Sequence, residues 1–426
     1  MSDSKRIPTS KPVSRRSFLR GSAAAGAAVM AAGLVSRVAY AAGSDAIKVG
    51  LIGCGGRGKG ATKDCLEAAK SIQANVQIWA CGDLWEDRAK AAGKPYNVPE
   101  DRCFGGFDNH DKVLASGVDM IITAAPPGFR AIHVPAIIKA GKHCFMEKPV
   151  CVDPWGYNEI CKAADEAKAK KLTVVAGTQR RHETSRRECL KRIHDGAIGE
   201  LVGGECYWRG GPVTHNRPRT DGMSDIEWQI LNWYAWCWTC GDHIVEQEVH
   251  NIDMICWAFG THPESAYGIG GRQSRPEPGN IYDHHAVEYV FPNGARVASY
   301  CSHFPKTTNR IGERAVGTKG TSMLSNSIEG ENAWKFQGKD IKPQVQEHVD
   351  CLNSILGKGP HYNEARQVAE SSMTAVLGRM STYTGRQISW DWAVQKSTLK
   401  LGPANRNAFG PYEPPPVAIP GETELI

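Results

Sequence analysis

Lys148, in Glu147-Lys148-Pro149, closes a short apolar run. An ammonium placed there is able to donate to an oxygen gaining negative charge, or to polarise a carbonyl. Paired with Glu147 before a turn, it would otherwise be an ordinary surface ion pair. A second set of chemical side chains is His243, Glu246 and His250. Their i, i+3, i+7 spacing puts them on one side of a helix predicted over about 242–258. That side suits a metal triplet, an acid–base cluster without metal, or a satisfied polar core. Such triplets are common, and no metal is expected.

A third stretch, Gly53-Cys54-Gly55-Gly56-Arg57-Gly58, has the spacing G-x-G-x-x-G. It follows a predicted strand and opens a predicted helix, the context in which these glycines cradle a dinucleotide pyrophosphate. Gly53 permits the turn, Gly55 permits close backbone approach, and Gly58 permits close helix–strand packing. Asp83 ends the next predicted strand and suits the ribose hydroxyls, while it repels a 2′-phosphate. NAD is therefore expected rather than NADP.

These residues need elements to hold them. From about 46 to 178, apolar runs that read as buried strands (AIKVGLI, VQIWACGD, VDMIITAAPP, HCFMEKP, LTVVAGT) alternate with helical patterns. That predicts an α/β fold built on a doubly wound parallel sheet. Beyond about 180 the runs alternate in polarity (LVGGECYWRG, HAVEYVF, ARVASYCSHF, TSMLSN). They predict an α+β domain with an open, mainly antiparallel sheet. Helices are expected near 344–356 and 364–384. The segment 393–426 is proline-rich, with Pro414-Pro415-Pro416, and reads as an extended arm on the surface or on a neighbouring subunit. The four tryptophans Trp228, Trp233, Trp236 and Trp238 either frame a sugar pocket or pack a core.

The chain has 426 residues and a net charge of +6. The surplus lies wholly in residues 1–41, so the body is neutral and offers no electrostatic case for nucleic acid. Ser14-Arg15-Arg16-Ser17-Phe18-Leu19-Arg20 is a twin-arginine box. The run Gly21 to Ser36 is too short for a membrane span, and Ala39-Tyr40-Ala41 suits cleavage. The segment predicts export in the folded state through the twin-arginine translocase to the periplasm, with no stable membrane anchor. The 14 cysteines are scattered through apolar runs and are expected as buried thiols; Cys237-Trp238-Thr239-Cys240 has no second CxxC to complete a metal site, and a disulfide is permitted by the compartment.

AGKHCFMEKP and the glycine loop resemble the motifs of the Gfo/Idh/MocA oxidoreductases. The segment Gly241–His250 falls in register on that family's second motif, with Asp242, Glu246 and Glu248 as departures and the final His kept. YTGRQISW is similar to its closing segment. The resemblance implies a Rossmann domain over 45–178, a substrate and oligomerisation domain over 179–392, and tightly held NAD. It implies hydride transfer to or from a sugar or glycoside hydroxyl, with C3 a candidate. Lys148 and His250 become the catalytic pair and Glu246 their acidic neighbour, able to meet His250 one helical turn away. Gly53, Gly55, Gly56, Arg57, Gly58, Asp83, Ala125, Pro126, Glu147 and Lys148 become cofactor contacts, with Ala124 beside them. Arg180, Arg181, Trp233 and His243 become substrate contacts. It also implies a homo-oligomer. Two other functions stay open: a glycosidase of the family-109 kind that cycles NAD, and a non-catalytic sugar-binding protein.

Overall fold

Ile, Val and Leu dominate strand β1 (Ile47–Ile52), in which five of the six residues are buried and Lys48 alone is not. A strand covered on both faces has this composition. In the computed structural model, which describes residues 46–275 and 278–426, five more strands join it: β2 (Val76–Gly82), β3 (Cys103–Phe104), β4 (Met120–Thr123), β5 (His143–Met146) and β6 (Val174–Ala176). All pair in parallel, in the order β3-β2-β1-β4-β5-β6. The order reverses between β1 and β4, the place where doubly wound sheets bind ligands. Helices α1 (Gly56–Ser71), α2 (Glu86–Gly93), α3 (Asn109–Ala115), α4 (Arg130–Lys139) and α5 (Pro154–Lys170) cover the sheet. The pair β3 and α3 is too short for its pattern to show in the sequence.

Helix α6 (Thr184–His194) leads into a second sheet of nine strands. It comprises β7 (Leu201–Arg209), β8 (Ser265–Gly271), β9 (His284–Val290), β10 (Arg296–Ser302), β11 (Arg310–Gly317), β12 (Gly320–Ser322), β13 (Ser327–Gly330), β14 (Trp334–Lys335) and β15 (Ile388–Ser389). The order is β14-β13-β12-β11-β7-β10-β9-β8-β15, antiparallel except where β7 meets β10. Helix α7 (Asp225–Leu231) and a π-helical turn, Ile244–Glu248, precede α8 (Val249–Phe259). Then α9 (Pro343–Ile355) packs on α1, and α10 (Ala365–Thr384) on α5 and β8. Helix α10 is buried along almost its whole length, as its contacts with both sheets require. Its Arg379 donates to the carbonyls of Val152 and Gly241 at 2.7 and 2.9 Å.

The other face of the second sheet is bare, with Tyr267, Ile269 and Tyr300 exposed. After α11 (Trp390–Gln395) the proline-rich segment lies on its own chain. Leu401 N–H donates to Asp153, Arg406 to the Gly128 carbonyl, and the Tyr412 carbonyl accepts from Gln229. All 14 cysteines are free and buried. The twin-arginine segment lies outside the described residues, among which no helix is long and apolar enough to cross a membrane.

Candidate active site

The glycine loop takes its shape from contacts that exclude side chains. Gly53 has φ of +88°, and a Cβ there would lie 2.3 Å from the Ala125 nitrogen. A Cβ on Gly58 would meet the Gly53 carbonyl at 1.9 Å, so α1 starts hard against β1. Gly55 and Gly56 instead face open space. Asp83 accepts from Cys54 N–H at 2.7 Å and Trp85 N–H at 3.1 Å, which ties the loop to the end of β2. Arg57 bridges Glu147 at 2.8 Å and Asp64 at 3.0 Å.

A cleft of about 480 Å³ begins here. It runs past Asp83, Trp85 and Ala124–Pro127 to Glu147, Lys148, Glu246, His215 and Trp233. The open floor over Gly55 and Gly56, the free N-terminus of α1 and the carboxylate at the end of β2 fit a dinucleotide. Ala125, Pro126 and Arg57 line the same cleft.

At its far end Lys148, followed by a cis peptide bond to Pro149, donates to the Glu246 carboxylate at 3.0 Å and to the Glu246 carbonyl. Both side chains are only 12–13% exposed. The π-helical turn places Glu246 against Lys148, and no hydrogen bond joins it to His250 among the described residues. The i, i+4 meeting expected of a regular helix is lost because the turn is overwide. The His250 ring stacks on Trp208, with centroids 5.8 Å apart, and its Nδ1 has no partner. Burial, reinforced by the charges of Lys148 and Arg180, holds its pKa well below the usual imidazole value. The His250 ring is therefore neutral near pH 7, and it is not among the residues that line the cleft.

The two arginines after β6 are occupied elsewhere. Arg180 pairs with Glu313 at 2.7 Å, and Arg181 grips Asp253 with two nitrogens at 2.8–3.0 Å. Neither lines the cleft. Both instead fasten α8, which carries Asp253 and His250, to the end of the first sheet. His243 is also outside the cleft, fully buried beside Asp242, His285 and His303. Trp233 does line it, edge-to-face with His215 at 5.4 Å.

Several lining residues escaped the sequence, His215 and Arg130 among them. His215 sits in an irregular loop with no periodicity to flag it. Arg130 donates to the carbonyls of Glu147, at 2.7 Å, and Ala125, clamping the ends of β4 and β5. Burial pushes its pKa down to about 10. An arginine at the start of an apolar helix was the available signal.

Sheet order, glycine loop and cleft define a Rossmann protein that binds a dinucleotide and carries a second, sheet-based domain. Residues 47–176 match the model of the oxidoreductase family with an NAD-binding Rossmann fold, GFO_IDH_MocA, and 187–322 match the GFO/IDH/MocA C-terminal domain. Residues 12–32 match the twin-arginine translocation signal, which marks the chain for export by that pathway. The chain belongs to the GFO/IDH/MocA oxidoreductases. It is 28% identical over 190 residues to inositol 2-dehydrogenase of Klebsiella pneumoniae, covering 44% of this chain and 54% of that protein. The match thus spans about half the length of that relative. Against the Rhizobium meliloti inositol 2-dehydrogenase it is 23% identical over 282 residues, 66% of this chain and 76% of that one. The WlbA dehydrogenase of Bordetella pertussis, solved with NADH and UDP-GlcNAcA, shares the fold with a TM-score of 0.63 at 18% identity, covering 81% of this chain and 99% of that one. The aldose-aldose oxidoreductase of Caulobacter crescentus does so with a TM-score of 0.62 at 15% identity, covering 81% and 100%.

Proposed function

We propose that this protein oxidises a hydroxyl of a sugar or glycoside, at C3 in the simplest case. The observation that supports it is one continuous cleft joining the glycine loop and Asp83 to a buried lysine–glutamate pair. Bound in that cleft, NAD supplies the hydride acceptor. Gly53, Gly55, Gly56, Gly58, Asp83, Ala125 and Pro126 hold it, and Arg57 and Glu147 brace the loop. Lys148, kept in place by Glu246, donates to the substrate oxygen as charge develops. The neutral His250 takes the hydroxyl proton. Trp233 and His215 offer ring faces to the apolar side of a sugar. Residues 45–178 serve the cofactor and 179–392 the substrate, while 393–426 strap the two parts. The relatives named inositol 2-dehydrogenase and the aldose-aldose oxidoreductase support a polyol or sugar substrate.

The test is to recover the exported protein, identify any bound nucleotide by mass spectrometry, and offer a glycoside panel. Lys148→Met is expected to lower kcat by about 10²–10³ with NAD still bound. Unchanged turnover in both Lys148→Met and His250→Asn removes these assignments. Free sugar released without net NADH replaces net oxidation with a hydrolytic cycle.

A further inference from the structure

Behind the cleft, Asp242, His243 and His285 form a sealed cluster whose hydrogen bonds do not close. His285 is 2% exposed and the other two are fully buried. Their nearest ligand-type atoms all lie within 4.8 Å of one another. The Thr382 hydroxyl lies 2.9 Å from both the Arg379 carbonyl and His285 Nδ1. With that hydroxyl donating to the carbonyl, Nδ1 donates to the hydroxyl and the neutral ring presents a bare Nε2. That lone pair faces Asp242 Oδ2 at 3.3 Å, an acceptor opposite an acceptor. The same oxygen already accepts from Tyr282 N–H at 2.9 Å and from the Tyr383 hydroxyl at 2.6 Å. Neither ring nitrogen of His243 has a partner, and its Nε2 lies 3.9 Å from Asp242 Oδ1. Two lone pairs and a carboxylate thus converge on one point shut off from water. A cation at that point relieves the arrangement.

We propose that Asp242, His243 and His285 bind a divalent transition-metal ion, zinc by the donor set of two imidazoles and one carboxylate. The outer contacts are those such a site needs. Thr382 fixes the His285 tautomer, and Tyr282 and Tyr383 orient the carboxylate. The ion joins β9, through His285, to the two residues that immediately precede the π-helical turn. Its task is to lock the turn that carries Glu246, without touching substrate. This site shares no residue with the acid–base pair, so it stands independently of the proposed reaction.

The experiment uses the full chain, exported with its own signal, and reads metal rather than turnover. Elemental analysis is expected to give about one zinc per chain, falling at least tenfold in His243→Asn and in His285→Asn. A chelator is expected to lower the Tm of the wild type and leave both variants unmoved. Co²⁺ added to the stripped wild type, which needs no variant to fold, is expected to give visible ligand-field bands. Zinc below about one-tenth per chain together with a featureless Co²⁺ titration overturns the proposal.

Discussion

Glu248 lies in the π-helical turn beside Glu246, and it is fully buried against Cys206, Ser299 and Cys301 on β7 and β10. One carboxylate oxygen has no partner, and the other accepts from the Cys206 thiol at 3.9 Å. Burial therefore pushes its pKa up to about 7, from a usual value of 4.5. Below the lower value Glu248 is protonated whether the chain is folded or not. Between the two, the folded state keeps the proton and the unfolded state loses it, so rising pH favours unfolding. Above about 7 the difference is constant. The stability lost between about pH 5 and pH 8 works out at about 2.5 kcal/mol. Glu248→Gln keeps the shape and removes the titration. Differential scanning calorimetry of both proteins is the assay. The variant is expected to gain roughly 3 °C in Tm over the wild type between those two pH values, given the entropy of unfolding of a chain this long. A Tm difference that stays flat with pH refutes the reasoning, because the carboxyl would then be ionised in the fold.

Three further outcomes are expected. With the His250 pKa held well below the usual imidazole value, the acid limb of kcat/KM is expected on the acid side of that value, and a pH–rate profile breaking near neutrality contradicts this. Arg181→Leu leaves Asp253 buried with only the Ser371 hydroxyl, and denaturant titration should show a loss of about 3–5 kcal/mol with KM unchanged. A raised KM at full stability would return Arg181 to the substrate. If the bare sheet face pairs with a second copy, Ile269→Glu, at a position 68% exposed on it, lowers the mass seen by light scattering, and an unchanged mass rejects that pairing.

Much of the first sheet was legible because its strands are mainly apolar runs, and a two-sided sheet demands that composition. Lys148 could be placed from the strand it ends. The partners of Arg180 and Arg181 could not, because Glu313 and Asp253 lie far along the chain and only the fold brings them near. The π-helical turn was illegible for another reason. Its pattern is that of a regular helix, so Glu246 looked aimed at His250 and His243 seemed to share their side. One added residue in the turn sends Glu246 to Lys148 and turns His243 inward. His215 shows the limit reached in loops, where position follows from neighbours and not from period.

The fourteen sealed thiols bear on the route of secretion. Had the chain been threaded across the membrane in an extended form, every sulfur would meet an oxidant before finding its place, with a great many mispairings open to it. Burial pushes the thiols of Cys144, Cys151, Cys206 and Cys301 upward, so few of these are thiolates even when reached. Passage as a finished body hides the sulfurs before the redox environment changes, so this protein is expected to emerge fully reduced with no isomerase to help it. Counting free thiols by alkylation and mass spectrometry on freshly exported material decides the matter, and a single native cross-link among them would show that the shield is incomplete.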